Sequence, residues 1–440
     1  MRETPEEFIQ RCGISAKYGF LPDTDPLQRL PDIYYEPWEA LAKNLPNLIA
    51  NDVARSKIDQ LPILGTGQLH TDAEWRRAYV VLGFLTHAYI WGGERPAERL
   101  PPQLTCPFLA VSEHLGLPPT ATFSTLSLWN FGLQTLGSDR TSPENLRSLV
   151  SFTNTKDEEW FCMISTAIEA KGAPLILTML RCIQAVDDRN DTLVLSCLQT
   201  LTDGIREIEN LLKRMHERND PQVFYHNIRP FCAGTKGMAA AGLPNGVFYD
   251  EGGGRGQWRQ YSGGSNAQSS LIQLFDIFLA VDHYATGGGD IRRPVSQYGG
   301  AGPKGYLHEM RNYMPRPHRE FLARVARMRN LREYISHTTT SSELQAAYND
   351  AVAAVVQLRN SHIQIVARYI VMPSRSPPAQ YIVQRKGANL ATACSTQQHA
   401  EKTDEDASVT RQLHGTGGTS VMPFLKRTRD ETREAFMRVS

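Results

Sequence analysis

The sequence predicts a mainly α protein, a large all-helical bundle domain preceded by a smaller, mostly helical N-terminal domain. Three observations carry this expectation. From Thr120 onward apolar residues recur with the 3.6-residue period of a packed helix, and alternating strand-like runs are almost absent. The first third is rich in proline and its elements are short. It ends in the turn-like stretch Leu115-Gly116-Leu117-Pro118-Pro119, so the boundary is placed there, dividing 1–119 from 120–440. A chain of 440 residues is long enough for two or three domains and a substantial apolar core.

The elements follow in order. Thr71-Asp72-Ala73-Glu74 is a capping box, in which the Thr and Glu side chains satisfy each other's backbone N–H groups. Gly92-Gly93 stops the helix it starts. The body between (Tyr79, Val80, Val81, Leu82, Phe84, Leu85, Ala88, Tyr89) is apolar nearly all round, which predicts burial. In the second part, helices are expected over 143–152 (proline in the first turn), 158–170, 174–186, 192–218 and 342 to about 371. Further helices are expected over 267–283, 306–314, 319–329 and 420–437. Two irregular regions interrupt them. One is the glycine-rich stretch 287–305. The other is the Ser/Thr/Gln/Pro-rich stretch 374–418, which ends in Gly415-Thr416-Gly417-Gly418-Thr419 and reads as a lid, with a plain linker as the alternative.

Charge and cysteine content narrow the function classes. With 47 Lys and Arg against 46 Asp and Glu, no general field steers nucleic acid or an anionic membrane to the surface. Seven scattered cysteines without a C-x-x-C pair argue against a disulfide framework or a zinc ribbon. The N-terminus is polar and acidic, and the apolar stretch 79–91 is too short to span a bilayer. A cytoplasmic protein with a small-molecule ligand is expected.

Gly252-Gly253-Gly254-Arg255-Gly256 and the terminal glycines lack the strand, helix and partner residues of a nucleotide loop. No G-x-S-x-G elbow occurs. Twelve histidines include no H-E-x-x-H and no pair at ligand spacing. A haem asks for less: one axial imidazole on a rigid helix, an apolar slot and an arginine near the rim. His362 offers this, flanked on its helix face by Leu358, Ile365 and Val366, with Arg359 one turn earlier. A core histidine bonded to a carbonyl is the alternative on the residue pattern alone.

Two segments carry a family resemblance. Tyr261-Ser262-Gly263-Gly264-Ser265-Asn266-Ala267-Gln268-Ser269-Ser270-Leu271-Ile272-Gln273 and Tyr306-Leu307-His308-Glu309-Met310-Arg311-Asn312-Tyr313-Met314-Pro315-Arg316-Pro317-His318 resemble the two signatures of the indoleamine 2,3-dioxygenase family. Further likeness runs through 78–93, Pro118-Pro119, 223–230, the His362 helix and the terminal Gly-Thr-Gly-Gly-Thr. The resemblance implies a large helical domain holding haem b, with His362 as proximal iron ligand and Arg359 as a propionate contact. It implies that Phe161, Ser165 and Phe224 line the indole pocket, that Arg229 binds the substrate carboxylate, and that Gly264 and Ser265 line the oxygen and substrate space. Thr416 lies over the amino and carboxylate end. His318 is structural, and no side chain acts as acid or base. The implied reaction inserts O2 across the indole C2–C3 bond of L-tryptophan to give N-formylkynurenine, the first step toward kynurenine and NAD, in a monomer. Phe123, Leu126, Cys162 and Asn266 depart from the pattern in residues that shape the pocket. A dioxygenase for a modified indoleamine, and a non-catalytic oxygen-binding haem protein, are the rival readings.

Overall fold

Helices dominate the computed structural model, which describes residues 3–284, 305–337, 342–382, 396–397, 412–413, 415–416 and 420–437. Nearly all of the 287–305 stretch and most of the 374–418 stretch lie outside the described residues. The first part holds α1 (Pro5–Arg11), α2 (Glu36–Ala50), α3 (Ala54–Asp59), α4 (Asp72–Trp91) and α5 (Pro102–Leu115). The capping box on α4 forms as the sequence predicts: Thr71 Oγ1 accepts from Glu74 N, and the Glu74 carboxylate accepts from Thr71 N, both at 3.3 Å. From Arg77 to Ala88 every residue of α4 is buried. Its polar groups reach across to the rest of the chain, where His87 Nδ1 meets the Phe231 carbonyl oxygen at 2.7 Å and Trp91 Nε1 donates to Ala233 O at 3.0 Å.

The second part is built on α6 (Lys156–Asp187) and α7 (Asp191–Lys213), followed by α8 (Ser270–Phe278), α9 (Arg316–Met328), α10 (Ser342–Val366) and α11 (Val421–Arg433). Helix α7 packs along both α6 and α10, and α11 covers the other side of α10. Helix α6 is long and apolar enough to cross a membrane, but most of that window is buried within the protein.

Two expectations fail in this region. The predicted helices 158–170 and 174–186 are one helix running through Pro174. An interior proline costs about 3 kcal/mol, yet Ile164 and Ala167 before it and Ile176 and Met179 after it are all buried in one core, and that shared burial outweighs the break. The predicted helix 143–152 is absent. Pro143–Asn145 makes a single turn, and Leu146–Ser148 pairs antiparallel with Phe131–Leu133. The backbone groups a helix would use internally are taken by side chains: Asn130 bonds both N and O of Val150 at 2.8 Å, and Glu158 accepts from Phe152 N and Thr153 N.

A hairpin also escaped the periodicity argument. Val247–Gly252 and Arg255–Arg259 pair antiparallel, and Arg99–Leu100 runs parallel beside the first of them. The turn between uses Gly252, Gly253 and Gly254 at φ of 80°, 60° and 77°, a region open to glycine without strain. The glycine triplet is therefore a hairpin turn: contrary to the sequence reading a strand does precede it, but a second strand and no helix N-terminus follows, so it is still no nucleotide loop.

Candidate functional site

Three π-helical turns, Ser124–Leu128, Phe224–Ile228 and Ala367–Val371, all contribute to one cavity of about 1110 Å³, a figure that includes its open mouth. Such turns re-aim side chains that a regular helix would stack, and they concentrate at functional sites. The first presents Phe123, just before it, with Leu126 and Ser127. The second delivers Phe224 and ends at Arg229, whose side chain is fully buried. The third ends α10 and holds Tyr369, whose hydroxyl donates to the Asn219 carbonyl at 2.8 Å.

His362 lies on α10 and faces this cavity. The ring keeps open surface only because the cavity is there; protein surrounds it, and that enclosure, with the nearby charge of Arg359, lowers its pKa to about 4. It is therefore neutral at physiological pH. Its carbon neighbours are apolar, among them Ile365, Val366 and Ile370. Helix α6 contributes Phe161 and Ser165, four residues apart on one face. The Phe161 and Phe224 rings meet at 4.8 Å between centroids, tilted by 51°. Ser165 Oγ has only a long contact to the Phe161 carbonyl, 3.4 Å.

Gly264 lines the cavity so closely that a Cβ there would sit 2.5 Å from Leu126 Cδ1. Thr416 closes the same side. Its carbonyl accepts from Gly234 N and Gly263 N, at 3.1 and 3.0 Å, and its hydroxyl donates to Gly264 O at 2.7 Å. Gly234 and Gly263 themselves cross so tightly that a Cβ on either would lie within 2.2 Å of backbone. Only glycine permits that crossing.

The cavity thus brings together Phe161, Ser165, Phe224, Arg229, Gly264, Ser265, Thr416 and His362. Arg359 is not among its walls. The guanidinium is taken by the buried carboxylate of Asp276 and by Thr432 Oγ1, so a propionate role would have to be shared with that pair. His318, as the sequence implies, is structural: it is buried at the start of α9, 3.1 Å from Ser270 Oγ, and burial lowers its pKa to about 3. Of the departing residues, Phe123, Leu126 and Asn266 line the cavity, whereas Cys162 is buried outside its walls. Sequence reasoning missed Ser127, Asn219, Cys232 and Tyr369. For Ser127 a signal existed, since it stands four residues after Phe123 and adjoins Leu126; for the others no local pattern points inward.

A family model described as indoleamine 2,3-dioxygenase matches residues 9–435. The chain belongs to the indoleamine 2,3-dioxygenase family. It is 42% identical to an indoleamine 2,3-dioxygenase of Aspergillus candidus, covering 98% of each chain. It is 39% identical to a 6-hydroxytryptophan 2,3-dioxygenase of Fusarium equiseti (97% of each chain) and 34% identical to indoleamine 2,3-dioxygenase 2 of Homo sapiens, covering 98% of this chain and 95% of the human one. The chain is accordingly an oxidoreductase of the dioxygenase class, in a family that depends on haem and uses O2.

The residues present fit that cofactor. His362 is a neutral imidazole, without a hydrogen-bonding protein partner among the described residues, facing a largely apolar cavity. An iron ligand needs this free lone pair, and a macrocycle needs apolar walls. His362 is the one histidine among the described residues that line the cavity.

Proposed function

We propose that this dioxygenase cleaves the indole C2–C3 bond of L-tryptophan, inserting both atoms of O2 to give N-formylkynurenine, with haem b held by His362. The observation that carries the reading is the presence in one cavity of an imidazole, a fully buried arginine and two aromatic rings in tilted contact. A zwitterionic amino acid with a flat apolar side chain asks for that combination. Arg229 supplies a charged anchor for the carboxylate, and Phe161 and Phe224 supply the walls for the ring.

When bound, haem supplies the oxygen-activating chemistry. The protein's own part is to bind, orient and exclude water. Among the described residues that line the cavity none is a carboxylate or a second imidazole, so none of them stands ready as general acid or base. Thr416, tied to Gly234, Gly263 and Gly264, walls one side of the cavity and screens that side from water. The reading extends to a monomer, to the cytoplasm, which the six unpaired cysteines among the described residues support, and to a division of the chain near residue 119.

The test is direct. The haem-loaded protein is reduced, L-tryptophan is added in air, and the absorbance of N-formylkynurenine is followed. Product formation supports the reading; haem uptake without product, and without a tryptophan-induced shift of the Soret band, replaces it with an oxygen-binding haem protein.

A further inference from the structure

Ser127 has no task in the reaction as described. It is 3% exposed and lines the cavity beside Phe123 and Leu126. Its carbonyl accepts from Thr166 Oγ1 at 2.9 Å, which ties the π-helical turn to α6 next to Ser165. Its hydroxyl has no protein partner among the described residues, and for a residue so deeply buried the open direction is the cavity itself. Ser165, 7% exposed, has spent its hydroxyl only on the long Phe161 contact. Two hydroxyls with unused hydrogen-bonding capacity therefore interrupt an otherwise aromatic and aliphatic wall.

A plain indole carries one hydrogen-bonding group, the N1–H of its five-membered ring, and its six-membered ring offers such hydroxyls only C–H surface. Covered by C–H surface, a buried donor loses its water without gaining a partner, a penalty that an alanine or valine would not carry. The amino-acid end of the substrate is assigned elsewhere, to Arg229 and to Thr416 on the Gly263–Gly264 backbone. What remains for the wall formed by the first π-helical turn and α6 is the six-membered half of the indole.

We propose that Ser127, assisted by Ser165, is a specificity-determining residue that receives a hydroxyl on the benzo ring, and that the preferred substrates are ring-hydroxylated tryptophans. The inference rests on the dioxygenase reading above and narrows its substrate class. A site whose polar group is matched by a substrate hydroxyl discriminates strongly against the analogue that lacks it.

The experiment measures kcat/KM of the haem-loaded protein for L-tryptophan, for its 5-, 6- and 7-hydroxy derivatives, and for the fluoro derivative at each position. Fluorine fills nearly the volume of a hydroxyl but cannot donate. At least one hydroxy isomer is expected to exceed both L-tryptophan and its fluoro counterpart by about tenfold. Ser127→Ala and Ser127→Val are expected to reduce that ratio by about tenfold. The fluoro comparison needs no variant and so survives a folding defect in either one. Turnover of L-tryptophan with no hydroxy isomer preferred over its fluoro counterpart overturns this inference and leaves the dioxygenase reading standing. Failure to turn over any indole substrate overturns both.

Discussion

The guanidinium of Arg359 donates through Nη2 to both carboxylate oxygens of Asp276, at 2.8 and 2.7 Å, three residues before His362 in the same helix. Both partners are largely buried. Burial alone would raise the Asp276 pKa, but Arg359 and then His283 outweigh it and hold the carboxyl at about 2. His283 Nε2 lies 3.0 Å from Asp276, and His283 Nδ1 lies 2.6 Å from Glu431 on α11. One carboxylate therefore joins α8, α10 and the C-terminal helix behind the cavity. Removing one member of such a buried pair costs about 3–5 kcal/mol, because the other charge is left without compensation. Asp276→Asn is expected to lower stability by that order in denaturant unfolding and to weaken haem retention measured by competition with apomyoglobin. Unchanged retention would separate this network from the cofactor site.

His362→Gly removes the imidazole while leaving the cavity walls in place. Purified protein is expected to lose the Soret band of a histidine-ligated haem, and added free imidazole is expected to restore it by occupying the vacated space. A normal spectrum without imidazole would reassign the axial ligand.

Arg229→Lys keeps the charge but loses the planar fork that grips a carboxylate with two hydrogen bonds. A charge-assisted hydrogen bond contributes about 1.5–3 kcal/mol, so kcat/KM for the amino acid should fall roughly 10- to 100-fold. The loss should shrink for tryptamine, which has no carboxylate. Equal losses for both substrates would make Arg229 a structural cation.

Glu169 is buried on α6 behind the cavity and accepts a hydrogen bond from Ser269 Oγ, while its Oε2 has no partner. Burial raises its pKa from 4.5 to about 7. The unfolded chain then releases this proton at lower pH than the folded one. Stability is lost as pH rises from 4.5 to about 7 and stays low above that window, by on the order of 3 kcal/mol for a shift of this size. Glu169→Gln keeps a group that accepts from Ser269 and cannot ionise. Urea unfolding at several pH values should show the variant gaining on the wild type across that window and holding the gain at pH 8. A pH-independent difference would remove Glu169 from the acid–base balance of folding.

Much of this protein is determined by local order in the chain. The capping box at Thr71, the all-round apolar body of α4 and the apolar face around His362 each need only neighbours within a turn or two, and short-range patterns report such neighbours faithfully. Phe161 and Ser165 share a cavity because they stand four positions apart on one helix. The structure decided what depends on partners distant in sequence. Pro174 stays inside α6 because residues on both sides of it are buried in one core, and 146–148 becomes a strand because Asn130 and Glu158 claim the nearby backbone. Arg359 turns away from the cavity wall because a carboxylate 83 positions earlier in the chain meets it there. Ser127 acquires meaning only from a cavity that segments distant from one another in the chain enclose. Sequence spacing encodes direction along one element, whereas burial and pairing arise between elements, where electrostatics and packing choose among side chains that the local pattern leaves equivalent.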